Sequence, residues 1–484
     1  MITSLPQFNQ RYLFVKKNAV IFTLLISCSF ITIPLYAQVP ATYEQPVKKD
    51  SIPKPRLRWR NRPAHFDRAV IELGLMEIIP WSYDKFIAKK DYADISFKSV
   101  RNNLKPNSWA WDDDPFQTNQ FGHPFHGSLF YNTFRSNGYT FWQSVPAVMV
   151  GSYIWETTAE TQPPSPNDFI NTSFGGIVLG EMTHRLANKL VNNQRTGIRR
   201  QATEVLGFVI NPANGLNRIL DGKWGKVARN SKIDSSTITA EIDAGVRTFN
   251  RSNSNILHNS NFGWYGHIKI LYGTPYKDYD TPFSNFTMNV EFGKDDSSKV
   301  NMVSVYGSLK GWEIKTNEKL QHLAVLSANY DFLHNSAFFY GSQSVKMNLL
   351  SEYNISKKLK INTVFGAGPT LLSATPDPYL YYANGRNYDY GTGASINASG
   401  ALTILNRFTY GVNYRGGWTV TLNGHPSHYF LHTVSSEATV TLSKKFAFSA
   451  ESGYFALHGS YQKYADVNRN YPYLRFSSRY TISF

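Results

Sequence analysis

The chain has 484 residues, of which 15% are aromatic with 30 Tyr and 32 Phe, and it carries a formal charge of +16 although only 17% of its residues are charged. Its one cysteine, Cys28, sits in an N-terminal apolar run, so the chain without that run has neither disulfides nor thiol chemistry. No basic and aromatic nucleic-acid module accompanies the charge. Nucleic acid is therefore not expected as a partner; in an envelope protein such an excess would suit contact with anionic lipid head groups or lipopolysaccharide phosphates.

Residues 1–18 include Arg11, Lys16 and Lys17 and no acid, and Ala19 to Leu35 is mostly apolar. The run is short for a spanning helix and precedes Tyr36-Ala37-Gln38, a small-residue cleavage context, which predicts a secretory signal over 1–37 cut after Ala37. Leu25-Ile26-Ser27-Cys28 also resembles a lipoprotein signal, but it would leave apolar Phe30 to Leu35 where a polar tether is usual. Removing the three cations of the signal takes the charge from +16 to +13. Residues 38–64 hold Pro40, Pro46, Pro53, Pro55 and Pro63 among Lys48, Lys49, Lys54, Arg56, Arg58 and Arg60, the composition of an extended basic lead-in.

A helical domain is expected over 65–232. One helix runs from Asn119 to Arg135 and opens near His123-Pro124, where proline is tolerated in the first turn. A second, Thr140 to Glu160, is strongly apolar yet too short to span a bilayer, so it is expected to be buried or to rest on a barrel or on lipid. Pro163-Pro164-Ser165-Pro166 ends it, and Asn167 or Asp168 is placed to cap a third helix. That helix passes through Gly175-Gly176 and Gly180, which permit close packing at a cost in helix propensity, and reaches Glu181, His184 and Arg185.

Beyond residue 235 the period changes from 3.6 to 2. Ile238, Ala240, Ile242, Ala244 and Val246 alternate with Thr237, Thr239, Glu241, Asp243 and Gly245, and the pattern recurs in about twelve segments up to 484, an even number as a closed antiparallel barrel requires. Turns are expected at Lys294-Asp295-Asp296, Ser356-Lys357-Lys358 and Ser443-Lys444-Lys445, and a long extracellular loop over 374–389. The last segment alternates Leu474, Phe476, Ser478, Tyr480, Ile482 and Phe484 with Arg475, Ser477, Arg479, Thr481 and Ser483. An amphipathic strand closing on Phe resembles the terminal strand of bacterial outer-membrane barrels, which the barrel-insertion machinery reads. The expected fold class is a membrane β-barrel of about twelve antiparallel strands, over 236–484, preceded by an α-helical domain.

The polar residues of the helices are the candidate chemistry: His123, Glu156, Glu160, Asp168, Glu181 and His184. Glu156 and Glu160 share a helix face, as do Glu181 and Arg185, Glu181 and His184, and His123 and His126. Glu181-x-x-His184 resembles half of a di-metal carboxylate set, with no second copy in the chain. A hydrolase or acyl-transfer site would use His123 or His184 as base, Asp168, Glu156 or Glu181 to orient it, and Ser144, Ser152 or Ser165 as nucleophile, without a nucleophile-elbow motif to single one out. A structural reading has these groups paired in a network that locks the helices together. The residues name no cofactor.

Phe116, Asn119, Gly122-His123-Pro124, Gly127, Tyr131-Asn132, Arg135-Ser136-Asn137-Gly138, Ser144, Ser152, Trp155-Glu156, Glu160, Pro164-Ser165, Asp168, Gly175-Gly176 and Gly180-Glu181 together resemble the bacterial envelope family labelled domain of unknown function 3943, over roughly 105–225. The resemblance implies an outer-membrane protein and brings no established activity. The expectation is an outer-membrane barrel with a helical plug or periplasmic platform, serving envelope maintenance or the passage of small or lipid molecules. The alternative is an enzyme acting on acyl groups of phospholipid or lipopolysaccharide.

Overall fold

A computed structural model describes residues 64–227, 236–249, 261–293, 299–314, 317, 319–335, 338–382 and 385–483. The signal, the Cys28 alternative, the basic lead-in up to residue 63, the Lys294 turn and the terminal Phe484 lie outside these residues.

Twelve antiparallel strands close into a barrel in which each strand pairs with its sequence neighbours and β1 pairs with β12. They are β1 (Ile238–Phe249), β2 (Asn261–Tyr272), β3 (Phe286–Gly293), β4 (Val300–Ile314), β5 (Leu320–His334), β6 (Phe339–Ser356), β7 (Leu359–Pro376), β8 (Tyr388–Ile404), β9 (Phe408–Asn423), β10 (Ser427–Thr441), β11 (Phe446–Tyr461) and β12 (Val467–Ser483). Period-two alternation thus marked every strand. Closure follows because the pairing of Thr239 with Ser483 leaves no free edge. The connection expected over 374–389 is shorter at both ends, since β7 continues to Pro376 and β8 begins at Tyr388.

The register tells inside from outside. The Arg415 guanidinium of β9 lies 5.1 Å from the Tyr306 ring centroid of β4, a contact between well-separated strands that only the interior of a closed barrel permits. Tyr306 stands opposite Asn329 of β5, so Asn329 and Asp331 point inward while Tyr330 and Phe332 point outward. The inner face carries ion pairs that join neighbouring and non-neighbouring strands. Arg475 of β12 reaches Glu291 of β3 at 2.9 Å and Glu451 of β11 at 3.3 Å, and Arg479 holds Asp243 at 2.7 Å and Glu437 at 2.6 Å. The outer face is apolar, with Phe365, Trp418, Phe448 and Phe476 about half exposed.

The helices are α1 (Phe66–Ser82), α2 (Phe97–Asn103), α3 (His123–Ser136), α4 (Phe141–Ile154), α5 (Pro166–Ile170), α6 (Gly176–Val191), α7 (Gly197–Ile210) and α8 (Pro212–Leu220). Thr140 and Gln143 form a reciprocal cap on α4. The cap of α5 is Ser165, whose hydroxyl accepts from the Asp168 amide at 3.3 Å; Asn167 and Asp168 lie inside the first turn, not at its head as their residue type had led us to expect. Helix α3 is central. A Cβ built on Gly127 would lie 1.9 Å from the Thr172 carbonyl oxygen, and one on Gly176 would lie 2.6 Å from the Gly127 Cα, so two glycines bring α3 and the start of α6 into backbone contact.

These helices pack on the outer face of the barrel. The Tyr330 hydroxyl donates to the Gln120 carbonyl at 2.6 Å, Phe116 stacks on Phe332 at 5.4 Å, and Phe141 stacks at 6.0 Å on Phe283 in the β2–β3 connection. At the end of the barrel where β1 begins, Arg185 donates to the Pro282 carbonyl. At the opposite end Asn119 meets Tyr388 and Tyr390. The helices therefore extend along the wall from one end toward the other, and the expectation of a plug in the lumen is corrected. The physical reason is that outward Val303, Val305, Tyr330 and Phe332 join Phe116, Val178 and Met182 in one apolar core. Among the described residues no helix is long and apolar enough to cross a membrane by itself.

Candidate functional site

Three single-turn π-helical segments place the polar residues. Thr118–Gly122 leads into His123, Trp155–Ala159 carries Glu156, and Asn171–Gly175 carries Thr172. Such turns shift the side-chain sequence around the helix and recur at functional sites. All three lie where α3 begins, α4 ends and α6 begins, beside the start of β8.

There the structure gathers four of the six candidate residues. His123 Nε2 is 3.5 Å from Asp168 Oδ1, and its Nδ1 is 3.2 Å from Thr172 Oγ1. Glu156 Oε2 accepts from the Ser165 amide at 2.9 Å, and Glu160 accepts from the Trp155 indole. Groups outside the candidate set complete the cluster. Asn167 donates to Asp168 at 2.9 Å and to the Tyr390 hydroxyl at 2.8 Å, and Asp112 accepts from Asn119 at 2.6 Å. The Tyr388 hydroxyl donates to the Asp114 carbonyl at 3.0 Å. The Asp112-Asp113-Asp114 run, amid aromatic sequence, was the available signal for the acids. Nothing local marked Tyr388 and Tyr390, which arrive from the barrel.

The cluster is rich in acid and poor in cations. Arg386, which lies beside it, spends its hydrogen bonds on the carbonyls of Asp112, Tyr388 and Asn423. Burial therefore dominates the titration. It holds Glu160 up at about 8 and Asp114, helped by Asp112 and Asp113, at about 7. It pushes Glu156 and Asp168 well above the usual carboxylate range, with neighbouring acids adding to the effect. The same burial lowers His123 to about 4. Near neutral pH, Glu156, Glu160, Asp168 and His123 are thus uncharged, able to donate or accept protons without carrying a buried net charge.

Glu181 and His184 belong elsewhere. Glu181, fully buried, accepts from Arg135 at 2.7 Å, Arg185 at 2.8 Å and the Tyr131 hydroxyl at 2.8 Å. These bonds join α3 to α6, so Glu181 is a strut between the two helices, apart from the cluster around His123. His184 lies 3.0 Å from the amide of Asn188, one turn along α6. Half a di-metal set does not form, because two guanidiniums occupy the carboxylate; among the described residues no group of three or more His, Cys, Asp and Glu is placed to hold a metal ion. Of the candidate serines, Ser144 bonds back to the Thr140 carbonyl at 2.9 Å and Ser165 caps α5, while Ser152 is buried with no hydrogen-bond partner among the described residues; the hydroxyl on His123 is that of Thr172.

No curated protein matches the chain. Among solved structures it is similar to the NanC porin, with a TM-score of 0.27 and 11% identity over 49% of this chain and 98% of that one. It is also similar to the outer membrane channel DcaP of Acinetobacter baumannii, with a TM-score of 0.25 and 8% identity over 51% and 97%. A third likeness is to an anion-selective porin from Comamonas acidovorans, with a TM-score of 0.24 and 9% identity over 51% and 99%. Residues 108–213, which hold the helical part of the cluster and the Glu181 strut, match the family described as Domain of unknown function (DUF3943), and this segment packs on the outside of a closed twelve-strand β-barrel.

Proposed function

We propose that the protein is an outer-membrane barrel whose work is done on membrane lipid at its helix-covered outer wall, in maintenance of the envelope, rather than on solutes passing through its lumen. One observation carries this reading. The lumen is bridged by its own side chains, Arg415 against Tyr306 and Arg475 between Glu291 and Glu451, while the acid and imidazole cluster lies on the outside, buried between the helices and the wall. Helical surfaces turned away from the barrel are apolar as well, with Trp142 62% exposed and Ile71 64% exposed, which suits contact with acyl chains. On this reading the chain reaches the outer membrane through its signal and is assembled by the barrel-insertion machinery, and its lasting partners are outer-membrane lipids and lipopolysaccharide.

The test is electrical and chemical. Purified, heat-modifiable barrel in a planar bilayer is expected to show no steady open-channel conductance, and cells lacking the protein are expected to show an altered outer-membrane lipid profile. A stable ohmic pore with an unchanged lipid profile would overturn the proposal.

A second reading, an enzyme acting on lipid acyl groups, has one observation in its favour: Thr172, His123 and Asp168 lie in a hydroxyl, imidazole, carboxyl line. Thr172→Val keeps the shape and removes the hydroxyl. If lipid masses return to those of the deletion strain while folded protein is unchanged, the enzyme reading holds.

A further inference from the structure

Residues 83–105 lie beside the acid cluster, close enough that Asp84 acts on Glu160 and Lys90 on Asp114. They are fastened to it: the Thr161 amide donates to the Tyr92 carbonyl at 2.8 Å, and the Asn103 amide donates to the carbonyls of Glu160 at 3.0 Å and Gln162 at 2.7 Å. A reciprocal cap between Ser96 and Ser99 starts α2 within this segment. Its position is set by those bonds, yet its surface is unusual. Phe86 is 66% exposed, Ile87 69%, Phe97 87% and Leu104 51%. Between them stand exposed Lys89, Lys98, Arg101 and Lys105.

Six basic residues face three acids in this stretch, and two of the acids are engaged, Asp94 by Lys85 at 2.6 Å and Asp84 by the Tyr92 hydroxyl at 2.9 Å. Among the described residues the Lys105 ammonium donates to the neutral Asn102 amide oxygen, at 2.8 Å. Large apolar side chains interleaved with cations are what a peptide needs to sit at a membrane boundary, its aromatics among acyl chains and its charges against head-group phosphates. The acid cluster to which the segment is fastened meets the loop between β7 and β8, where the Arg386 guanidinium donates to the Asp112 carbonyl at 3.2 Å.

We infer that residues 83–105 are a binding site for the phosphate head group of an anionic membrane lipid, with Lys98, Arg101 and Lys105 on the phosphate and Phe86, Ile87, Phe97 and Leu104 on its chains. The inference rests on the lipid-facing reading above and adds the lipid class and the residues that select it. It also places a bound lipid beside the buried acid cluster, since the same Asn103 holds the Glu160 carbonyl.

The test uses the full folded chain in neutral detergent, given a mixture of phosphatidylglycerol and phosphatidylcholine, with retained lipid counted by native mass spectrometry. The wild type is expected to retain phosphatidylglycerol preferentially. The triple variant Lys98→Gln, Arg101→Gln, Lys105→Gln is expected to lose that preference by about tenfold or more. Arg199→Gln with Lys226→Gln, remote from the segment, is expected to keep it. No preference in the wild type, or an unchanged one in the triple variant, would overturn the site. So would displacement of the lipid by millimolar inorganic phosphate, which would mark a site for free phosphate, or crosslinking of two copies through Phe86 and Phe97 positions with no lipid retained. Conductance measured on the same preparation separates the two ideas: an open pore sinks the lipid-facing reading, while lipid retention judges the site.

Discussion

Tyr330, on the outer face of β5, donates its hydroxyl to the carbonyl of Gln120 at 2.6 Å, and both residues are fully buried. One bond thus ties a barrel strand to the π-turn that leads into His123. Tyr330→Phe removes the donor and leaves that carbonyl unsatisfied, an expected loss of about 1–2 kcal/mol from the helix-to-wall seam. The barrel itself should still form. Limited proteolysis of the helices, compared with heat-modifiability of the barrel, separates the two effects.

The backbone contact of α3 with α6 gives a sharper expectation. A methyl at Gly127 meets the Thr172 carbonyl, which cannot move as a flexible side chain would. Gly127→Ala should force the helices apart and cost about 1–3 kcal/mol or more. Gly400→Ala, where an added Cβ meets nothing within 4 Å, is the matched control and should leave thermal unfolding nearly unchanged.

Glu181 pairs with both Arg135 and Arg185 in a buried site. Glu181→Ala strands both guanidiniums, with an expected loss of about 3–5 kcal/mol and a fall in folded protein. Glu181→Gln retains an acceptor and should lose less. Equal folded yields for wild type and Glu181→Ala would contradict the strut assignment.

Glu160 titrates at about 8 in the folded chain against an ordinary 4.5. Between those values the folded state holds a proton that the unfolded state has released, so stability is full below about 4.5, falls as pH rises through that window and levels off above about 8. Thermal unfolding of the helical part should therefore occur at a lower temperature at the alkaline end of the window than at the acid end. Glu160→Gln, which stays neutral, should flatten much of that slope; an unchanged slope would assign it to other groups.

Much was legible along the chain because it is local. The alternation of Ile238, Ala240 and Ile242 with Thr239, Glu241 and Asp243 is a property of consecutive side chains, and the strand it predicts is β1. The helix through Gly176 and Gly180 was legible for the same reason, as was the end of α4 before Pro163. Within the site, the spacing of Glu156 and Glu160 suggested one helix face, yet Glu160 lies just past the π-turn in extended backbone, and the spacing of Glu181 and His184 did not show that two arginines take the carboxylate. Spacing reports a shared face and is silent on what the opposite element brings to it, here Arg135 from α3.

By itself, then, the sequence determined the strands, their inward and outward faces, the helices and the acid and imidazole content of the DUF3943 segment, since each depends on residues a few positions apart. Only the tertiary structure decided that the helices cover the outside of the barrel and leave its lumen to ion pairs. Outward Tyr330 and Phe332 read like any lipid-facing pair, and an apolar face does not record whether lipid or a helix will cover it. The convergence of Asp112, His123, Glu156, Asp168 and Tyr390 was decided in the same way, by contacts between residues far apart in the chain that exist only after the barrel has closed and the helices have docked.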